Sequence, residues 1–443
     1  MGWADVGYHS DHILTPNIDS LAADGVLLNH FYAHTVCSPS RGALLTAVHP
    51  IHLGFQNSII HNKSPYGLPL DRKIWPQYLK QRYNYSTHIV GKWHQGFARK
   101  EYTPTYRGFD SHVGFWTMGI GYYDHRNCFK GDECGLDFRH NMDMITNASD
   151  IYSTHYFTDR CLNIIGLFAI KNDNIVPFII YYFSDQHNTS QPLFLYVPYQ
   201  AVQASLVPIR DRLDLFPYIR SPERRELAAI AYSMDESIGT AMEALHSKHM
   251  LDNSIVIFFS DNGGHPVENS NRAPGPTNGP KENGAQNRPL RGGKYLFYEG
   301  GIRVPALVWS PLLNKSGYVS QALVHISDLL PTVLDAIDGT AIDDQAHIYG
   351  VSQWKVLSNN ERPVRWEIQH NVDPITNTSA IRWYDWKLIK TSKHYGPSFA
   401  DYTPSPIDIG PHLRTNIQNN DRLNSKTYRI LRQMNRRPDY NVL

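Results

Sequence analysis

The apolar residues of this chain come in short runs, and the informative runs stop at a cluster of glycine and polar side chains. "STHIVGKWH" (Ser86–His94) and "NSIVIFFSDNGG" (Asn253–Gly264) show this most clearly. Runs rich in β-branched and aromatic residues, apolar without strict alternation, read as strands covered on both faces. Between them lie segments with helical spacing, such as "SMDESIGTAMEALHSKHML" (Ser233–Leu251) and "HISDLLPTVLDAI" (His325–Ile337). Strands alternating with helices constrain the chain to an α/β fold, a large, mostly parallel central sheet flanked by helices. A length of 443 residues accommodates one large domain and a smaller one.

The texture changes after about Pro363. "SAIRWYDWKLIK" (Ser379–Lys390) alternates like a strand of an antiparallel sheet, and "TPSPIDIGP" (Thr403–Pro411) is a breaker-rich connector. "SKTYRILRQMNRR" (Ser425–Arg437) reads as a basic helix with a solvated face. Residues 1–363 are therefore assigned to the large domain and 364–443 to part of a smaller α+β domain. "IVPFIIYYF" (Ile175–Phe183) reads as a buried strand, too short to span a bilayer, within a near repeat of the segment at Pro192. The Gly/Pro/Asn-rich stretch His265–Asn287 reads as a long surface loop.

A net charge of +1 argues against a nucleic-acid partner, and no run is long enough for a membrane span. The opening residues "MGWADVGYHS" carry no apolar core of signal-peptide length. Two features nevertheless point to the secretory pathway. Cys128 and Cys134 sit close together in "CFKGDEC" and can close a small disulfide, and sequons occur at Asn62, Asn84, Asn147, Asn188, Asn314 and Asn377. Cys161 reads as an inert buried thiol.

The fourth cysteine stands in "HTVCSPSRGALLTAVHP" (His34–Pro50). Ser38 suits an N-cap and Pro39 the first helical position, so a helix is expected over about Pro39–Ala47. Cys37 then lies at a helix N-terminus, and Arg41 in the first turn points back towards it, which together make an anion site. Taken alone, such a cysteine is more often a small buried hydrophobe. Ligands of open α/β sheets bind beyond the carboxyl ends of strands, where two further groups stand. Lys92 and His94 are spaced to share a face. Asp261 and Asn262 are adjacent hard oxygen donors, suited to Ca²⁺ or Mg²⁺. Each has a plain alternative, two polar side chains facing solvent for the first and a simple turn for the second. Lys294 lies among glycines in "LRGGKYLFYEGGIRVP" (Leu290–Pro305). The spacings His9/His12 and His49/His52 lack further metal ligands.

In combination these segments resemble the type I sulfatases: Cys37-Ser-Pro-Ser-Arg41, Gly-Lys92-Trp-His94, Ser-Asp261-Asn262-Gly-Gly, and Gly-Lys294 before Glu-Gly-Gly-x-Arg-Val-Pro, in that family's order. The likeness runs from Trp3 to about Asp373. "CGLDFRH", "LRGGK" and "EIQHNVDP" make it most similar to the arylsulfatase B branch, which acts on N-acetylgalactosamine 4-sulfate. The resemblance implies an alkaline-phosphatase-like fold and a Cys37 converted to formylglycine, with Cys-x-Pro-x-Arg read by the formylglycine-generating enzyme during synthesis. It further implies that Arg41 and His94 orient that group and that Lys92 and Lys294 grip the sulfate. Asp261 and Asn262, with the modified Cys37, would hold Ca²⁺. The implied substrate is a sulfated glycosaminoglycan or an aryl sulfate, and the implied location lysosomal or secreted.

Three departures accompany the resemblance. The family's first strand, ending in two adjacent aspartates, would precede Met1-Gly2-Trp3, so the 443 residues by themselves are expected to be unstable and inactive. Gln203 stands where the family has a histidine, and glutamine cannot act as a general acid. The C-terminal portion ends early. The alternative reading is a catalytically impaired sulfatase-like protein that binds sulfated glycans.

Overall fold

Two mixed sheets carry the fold in the computed structural model, which describes residues 1–129, 133–166, 191–265, 284–340, 342, 348–391, 421–436 and 438–440. In chain order the first elements are α1 (Pro16–Asp24), β1 (Val26–Tyr32), α2 (Cys37–Thr46), α3 (Trp75–Tyr83), β2 (Ser86–Lys92) and β3 (Ser111–Phe115). Four short strands follow: β4 (Arg126–Phe129), β5 (Glu133–Leu136), β6 (Arg139–His140) and β7 (Asp143–Met144). Next come α4 (Ser153–Ile165), β8 (Leu193–Tyr196), α5 (Arg210–Leu213), α6 (Pro222–Ser247) and β9 (Val256–Phe259). The chain continues through α7 (Glu299–Ile302), β10 (Ala306–Trp309), β11 (Tyr318–His325), α8 (Leu329–Asp338) and α9 (Trp354–Asn359). It closes with β12 (Glu367–Asp373), β13 (Thr378–Trp383), β14 (Trp386–Lys390) and α10 (Lys426–Gln433).

The α/β class is as the sequence implies, but the strands pair in both senses. One sheet has the order β11-β1-β10-β9, with β1 parallel to β11 and antiparallel to β10. The other has the order β7-β6-β3-β2-β8, with β2 parallel to both β3 and β8. Among the described residues β8 and β9 each have one paired edge, and both line a cavity of 860 Å³. Their residues are consequently half-buried, where continuous apolar runs lead one to expect full burial. Because β2 and β8 run in the same direction, their carboxyl ends reach the same side of the sheet. That side is where the Gly91-Lys92 step and Gln203 lie.

Helices cover the strands through strongly apolar faces. β1, α2 and α8 share one core, with Leu28, Phe31, Leu44 and Leu330 each almost fully buried. Burying a side chain of this kind contributes roughly 1.5–3 kcal/mol. α6 starts at a Ser221 cap, whose hydroxyl accepts the Arg224 amide at 3.3 Å, and extends well upstream of the helical pattern that begins at Ser233.

"SAIRWYDWKLIK" forms not one strand but the hairpin β13–β14, joined through Tyr384 in the left-handed region, φ +49°. The basic C-terminal segment is helical as expected, capped by Ser425, but one edge is not solvated. Thr427, Ile430 and Leu431 of α10 are buried, and the Thr427 amide donates to the Asn17 carboxamide at 3.0 Å. Cys128 and Cys134 face one another across β4–β5 and are disulfide-bonded. Cys161 is buried in α4, where burial pushes its thiol up to about 12. Asn84, Asn147, Asn314 and Asn377 are exposed, whereas Asn62 is half-buried and donates its amide to Asn127. The strand expected at Ile175–Phe183, the connector at Thr403–Pro411, Asn188 and most of the loop expected at His265–Asn287 lie outside the described residues.

Candidate active site

The helix carrying Cys37 begins earlier than the capping pattern predicts. Val36, in extended conformation, is the N-cap, and Cys37 is the first helical residue. Ser38 does not cap: its hydroxyl accepts the Ile60 amide at 3.0 Å, tying the helix to a neighbouring loop. Ser40 accepts the His34 amide at 2.8 Å and so fixes the chain that enters the helix. Cys37 is thereby held in the first turn and is 5 % exposed.

Arg41 organises the floor of the site. Its Nε and Nη2 reach the same Asp261 Oδ2 at 2.9 and 2.8 Å, and its Nη1 donates to the Lys92 carbonyl at 2.9 Å. One guanidinium thus joins α2 to the carboxyl ends of β2 and β9. Gly91 makes the approach at β2 possible: at φ +128°, an added Cβ would lie 2.2 Å from the Pro198 carbonyl. That same carbonyl accepts the Lys92 amide at 2.8 Å. Gly263 serves the same purpose after β9, since a Cβ there would lie 1.9 Å from the Gly300 carbonyl.

The 860 Å³ cavity is lined at this end by Cys37, Arg41, Lys92, Gln203, Asp261 and Lys294. Lys92 is buried, and its Nζ donates to the Gln203 Oε1 at 3.1 Å. Gln203 in turn donates its Nε2 to the Met118 carbonyl at 2.8 Å. Lys294 is positioned by its backbone, the amide donating to the Gly264 carbonyl at 3.0 Å. The following residue, Tyr295, donates its amide to the Thr35 carbonyl at 3.0 Å, close to Cys37 in the chain.

Burial and charge work against each other here. Burial pushes the Cys37 thiol up, but the cations Lys92, Lys294 and Arg41 outweigh it and hold it below its ordinary value. Burial likewise raises Asp261, while Arg41 and Lys92 keep its carboxylate well below the usual range. Burial draws Lys92 down to about 8. Lys294 stays above its ordinary value, burial being overcome by Cys37, Tyr295 and Asp261. The arrangement is a pocket of fixed positive charge around a polarised nucleophilic position, which suits a multiply charged oxyanion.

His94 departs from the expectation that it shares a face with Lys92. β2 ends at Lys92, and His94 turns away at φ +55°. Its Nε2 meets the Ile60 carbonyl at 2.9 Å, and it does not line the cavity. Burial, with Lys92 and Arg41 nearby, holds the ring neutral. His9 stacks on Trp3 at 3.9 Å, and the His49 and His52 rings are 6.5 Å apart. Among the described residues no group of three or more His, Cys, Asp or Glu side chains is arranged to hold a metal. The residues present do fit part of a Ca²⁺ shell: Asn262 is 5 % exposed, and its Oδ1 is buried without a hydrogen-bond partner beside Asp261. A hard cation is the ligand such an orphaned oxygen accepts. Two features were not legible from the chain: the contact between Lys92 and Gln203, and His265, which lines the same cavity immediately after the Gly263-Gly264 turn. The signal for His265 was its position at a strand exit.

The chain matches the family profile described as Sulfatase over residues 1–340. It is 37 % identical over 432 residues to arylsulfatase J of Mus musculus, covering 93 % of this chain and 66 % of that protein. It is 32 % identical over 355 residues to N-acetylgalactosamine-6-sulfatase of Homo sapiens, covering 78 % and 62 %. The chain thus spans less than two thirds of the length of these curated relatives. Among solved structures it is similar to Ps i-CgsB in complex with k-i-k-neocarrahexaose, with a TM-score of 0.73, 25 % identity, and coverage of 98 % of this chain and 90 % of the other. A sulfatase from Pseudoalteromonas sp. shares the fold at a TM-score of 0.66 and 22 % identity, over 88 % of this chain and 76 % of its own.

Proposed function

The chain belongs to the sulfatase family, and from that premise we propose that it hydrolyses sulfate esters of a sulfated glycan through a nucleophile made from Cys37. The observation that carries the proposal is the convergence of Arg41, Lys92 and Lys294 on Cys37, with Asp261 balancing their charge. Lys92 and Lys294 bind the sulfate oxygens and stabilise the charge that builds on them as the ester bond breaks. Removing one such donor from an oxyanion site typically costs 10²–10³ in turnover. Arg41 positions Asp261 and the β2 terminus, so that the anion enters a prearranged pocket rather than ordering one. His94 supports this floor from behind through its Ile60 contact.

A formylglycine at position 37 would supply a geminal diol, one hydroxyl attacking sulfur and the other expelling sulfate, an exit that an ordinary serine lacks. Ca²⁺ held by Asp261 and Asn262 would supply Lewis-acid polarisation of a sulfate oxygen. Resemblance to enzymes of N-acetylgalactosamine sulfates favours a glycosaminoglycan substrate, with the 4-sulfate as the first candidate. The sequons and the Cys128–Cys134 bridge favour synthesis in the secretory pathway, with a lysosomal or secreted destination and a formylglycine-generating enzyme as partner. No helix among the described residues is long and apolar enough to cross a membrane.

The test is peptide mass spectrometry across Cys37 on the full-length protein from a eukaryotic secretory host, together with sulfate release from an aryl sulfate. Conversion of Cys37 and release of sulfate are expected. An unmodified Cys37, no release, and retained binding to a sulfated oligosaccharide would replace this reading with the glycan-binding one.

A further inference from the structure

A sugar hydroxyl is a poor leaving group and needs a proton as its bond to sulfur breaks. Most titratable groups near Cys37 are unsuited to supply it. Asp261 is ionised, and His94 is neutral and tied to the Ile60 carbonyl away from the cavity. On the sulfatase reading above, Lys92 and Lys294 take up the sulfate oxygens. Gln203 carries no acidic proton, and both ends of its amide are engaged, by Lys92 and by the Met118 carbonyl.

Resting on the sulfatase reading above, we propose that His265 is the proton donor to the departing alcohol, taking the part that Gln203 cannot fill. His265 lines the same cavity as Cys37, Lys92 and Gln203. It follows Gly264, whose carbonyl anchors the Lys294 amide at 3.0 Å. Its ring stands edge-on to Tyr295 at 5.9 Å, and the Lys294 Nζ lies 5.6 Å from the same Tyr295 ring. Tyr295 is itself tied to Thr35, so His265 is held in the part of the cavity that Lys294 lines. Among the described residues the other imidazole lining the cavity, His249, precedes β9, at the opposite end of that strand from Asp261. His265 is half-buried, so its ring can exchange protons with water while lining the cavity. In the step, an oxygen of the nucleophile made from Cys37 forms a bond to sulfur while the bond between sulfur and the ester oxygen breaks with its electron pair on the ester oxygen. That oxygen takes a ring proton from the imidazolium, and the neutral imidazole regains a proton from water.

The experiment compares full-length wild type, His265→Gln and His265→Ala on a series of aryl sulfates whose phenols range from strongly activated to unactivated. We expect His265→Gln to leave the most activated ester within about threefold of wild type and to lose about 10²-fold or more on the least activated. The dependence on leaving-group pKa should steepen, and added imidazole should restore turnover in His265→Ala on the unactivated esters. Retained turnover on the activated ester reports that the variants are folded. An unchanged leaving-group dependence, whether turnover falls evenly or not at all, overturns the role of His265 while leaving the sulfatase reading intact. Wild type inactive on every ester overturns both.

Discussion

Two groups of titratable side chains, one half-buried to buried and one buried throughout, flank the short segment from His34 to Cys37, and they resolve burial in opposite ways. On one side, Arg41, Lys92, Asp261 and Lys294 keep their charges by compensating one another. On the other, His34, His49, His325 and His370 pack together, with the His49 and His325 rings stacked at 5.6 Å. Burial draws His34 down to about 3 and His49 to about 4, and His325 and His370 also fall well below their ordinary value. The charged groups facing this cluster do not reverse that outcome. Arg365 is paired with Asp328, and Lys387 and Arg382 lie against Glu299. Each histidine also faces other histidines, which disfavours protonation further. Burial by itself removes charge, and only a partner of opposite sign keeps it. The charged group therefore has the electrostatics that suit an anion, whereas the neutral group has those of packing.

The largest effect should come from Cys37→Ser. The side chain is nearly isosteric, so thermal stability should stay at the wild-type level while aryl sulfate turnover falls to background. Turnover at the wild-type rate would remove Cys37 from the chemistry.

Next is Asp261→Asn, which strips the compensation from the charged group. Breaking a fully buried ion pair by removing one partner costs about 3–5 kcal/mol; Asp261 is half-buried, so urea unfolding should show a smaller loss, still above that of the lysine variants. An unchanged midpoint would mean that Arg41 and the lysines are not balanced through Asp261.

Lys92→Ala and Lys294→Ala should each lower turnover by about 10²–10³. Their effect on folding should be smaller than that of Asp261→Asn, because each relieves positive charge rather than exposing it. Normal kinetics in both variants would place the sulfate elsewhere.

The smallest effect distinguishes the two groups by pH. The folded histidines bind protons less readily than the unfolded ones, so their contribution to stability is present above about pH 6.5 and is lost as pH falls below it. Each adds a slope of about 1.4 kcal/mol per pH unit, ending near pH 4 for His49. Urea unfolding between pH 7 and 5 should show this dependence, reduced by one histidine's share in His49→Gln. Asp261, depressed rather than raised, contributes no slope in that range. A His49→Gln profile parallel to that of wild type would mean that His49 is not buried neutral in solution.

The elements that depend on local signals were readable in the chain. The strands ending at Lys92 and Phe259, the helix before Gly339, the disulfide partners and the residues around Cys37 followed from apolar spacing, turn residues and motif order. Misreadings occurred where a distant partner outbid a local preference. Ser38 has the chemistry of an N-cap, but the Ile60 amide takes its hydroxyl and the helix starts at Cys37. His94 is spaced to face the site with Lys92, but the strand ends and a left-handed residue turns it towards Ile60.

That Cys37, Arg41, Lys92, Asp261, Asn262 and Lys294 belong to one candidate site was legible in the order of motifs along the chain, and the structure brings all six to one cavity. Tertiary structure alone decided that Arg41 spends its guanidinium on Asp261 and the β2 terminus, that Lys92 meets Gln203, and that His265 shares their cavity. Those contacts join residues far apart in sequence, and their geometry depends on how sheets and helices pack, which no local pattern encodes.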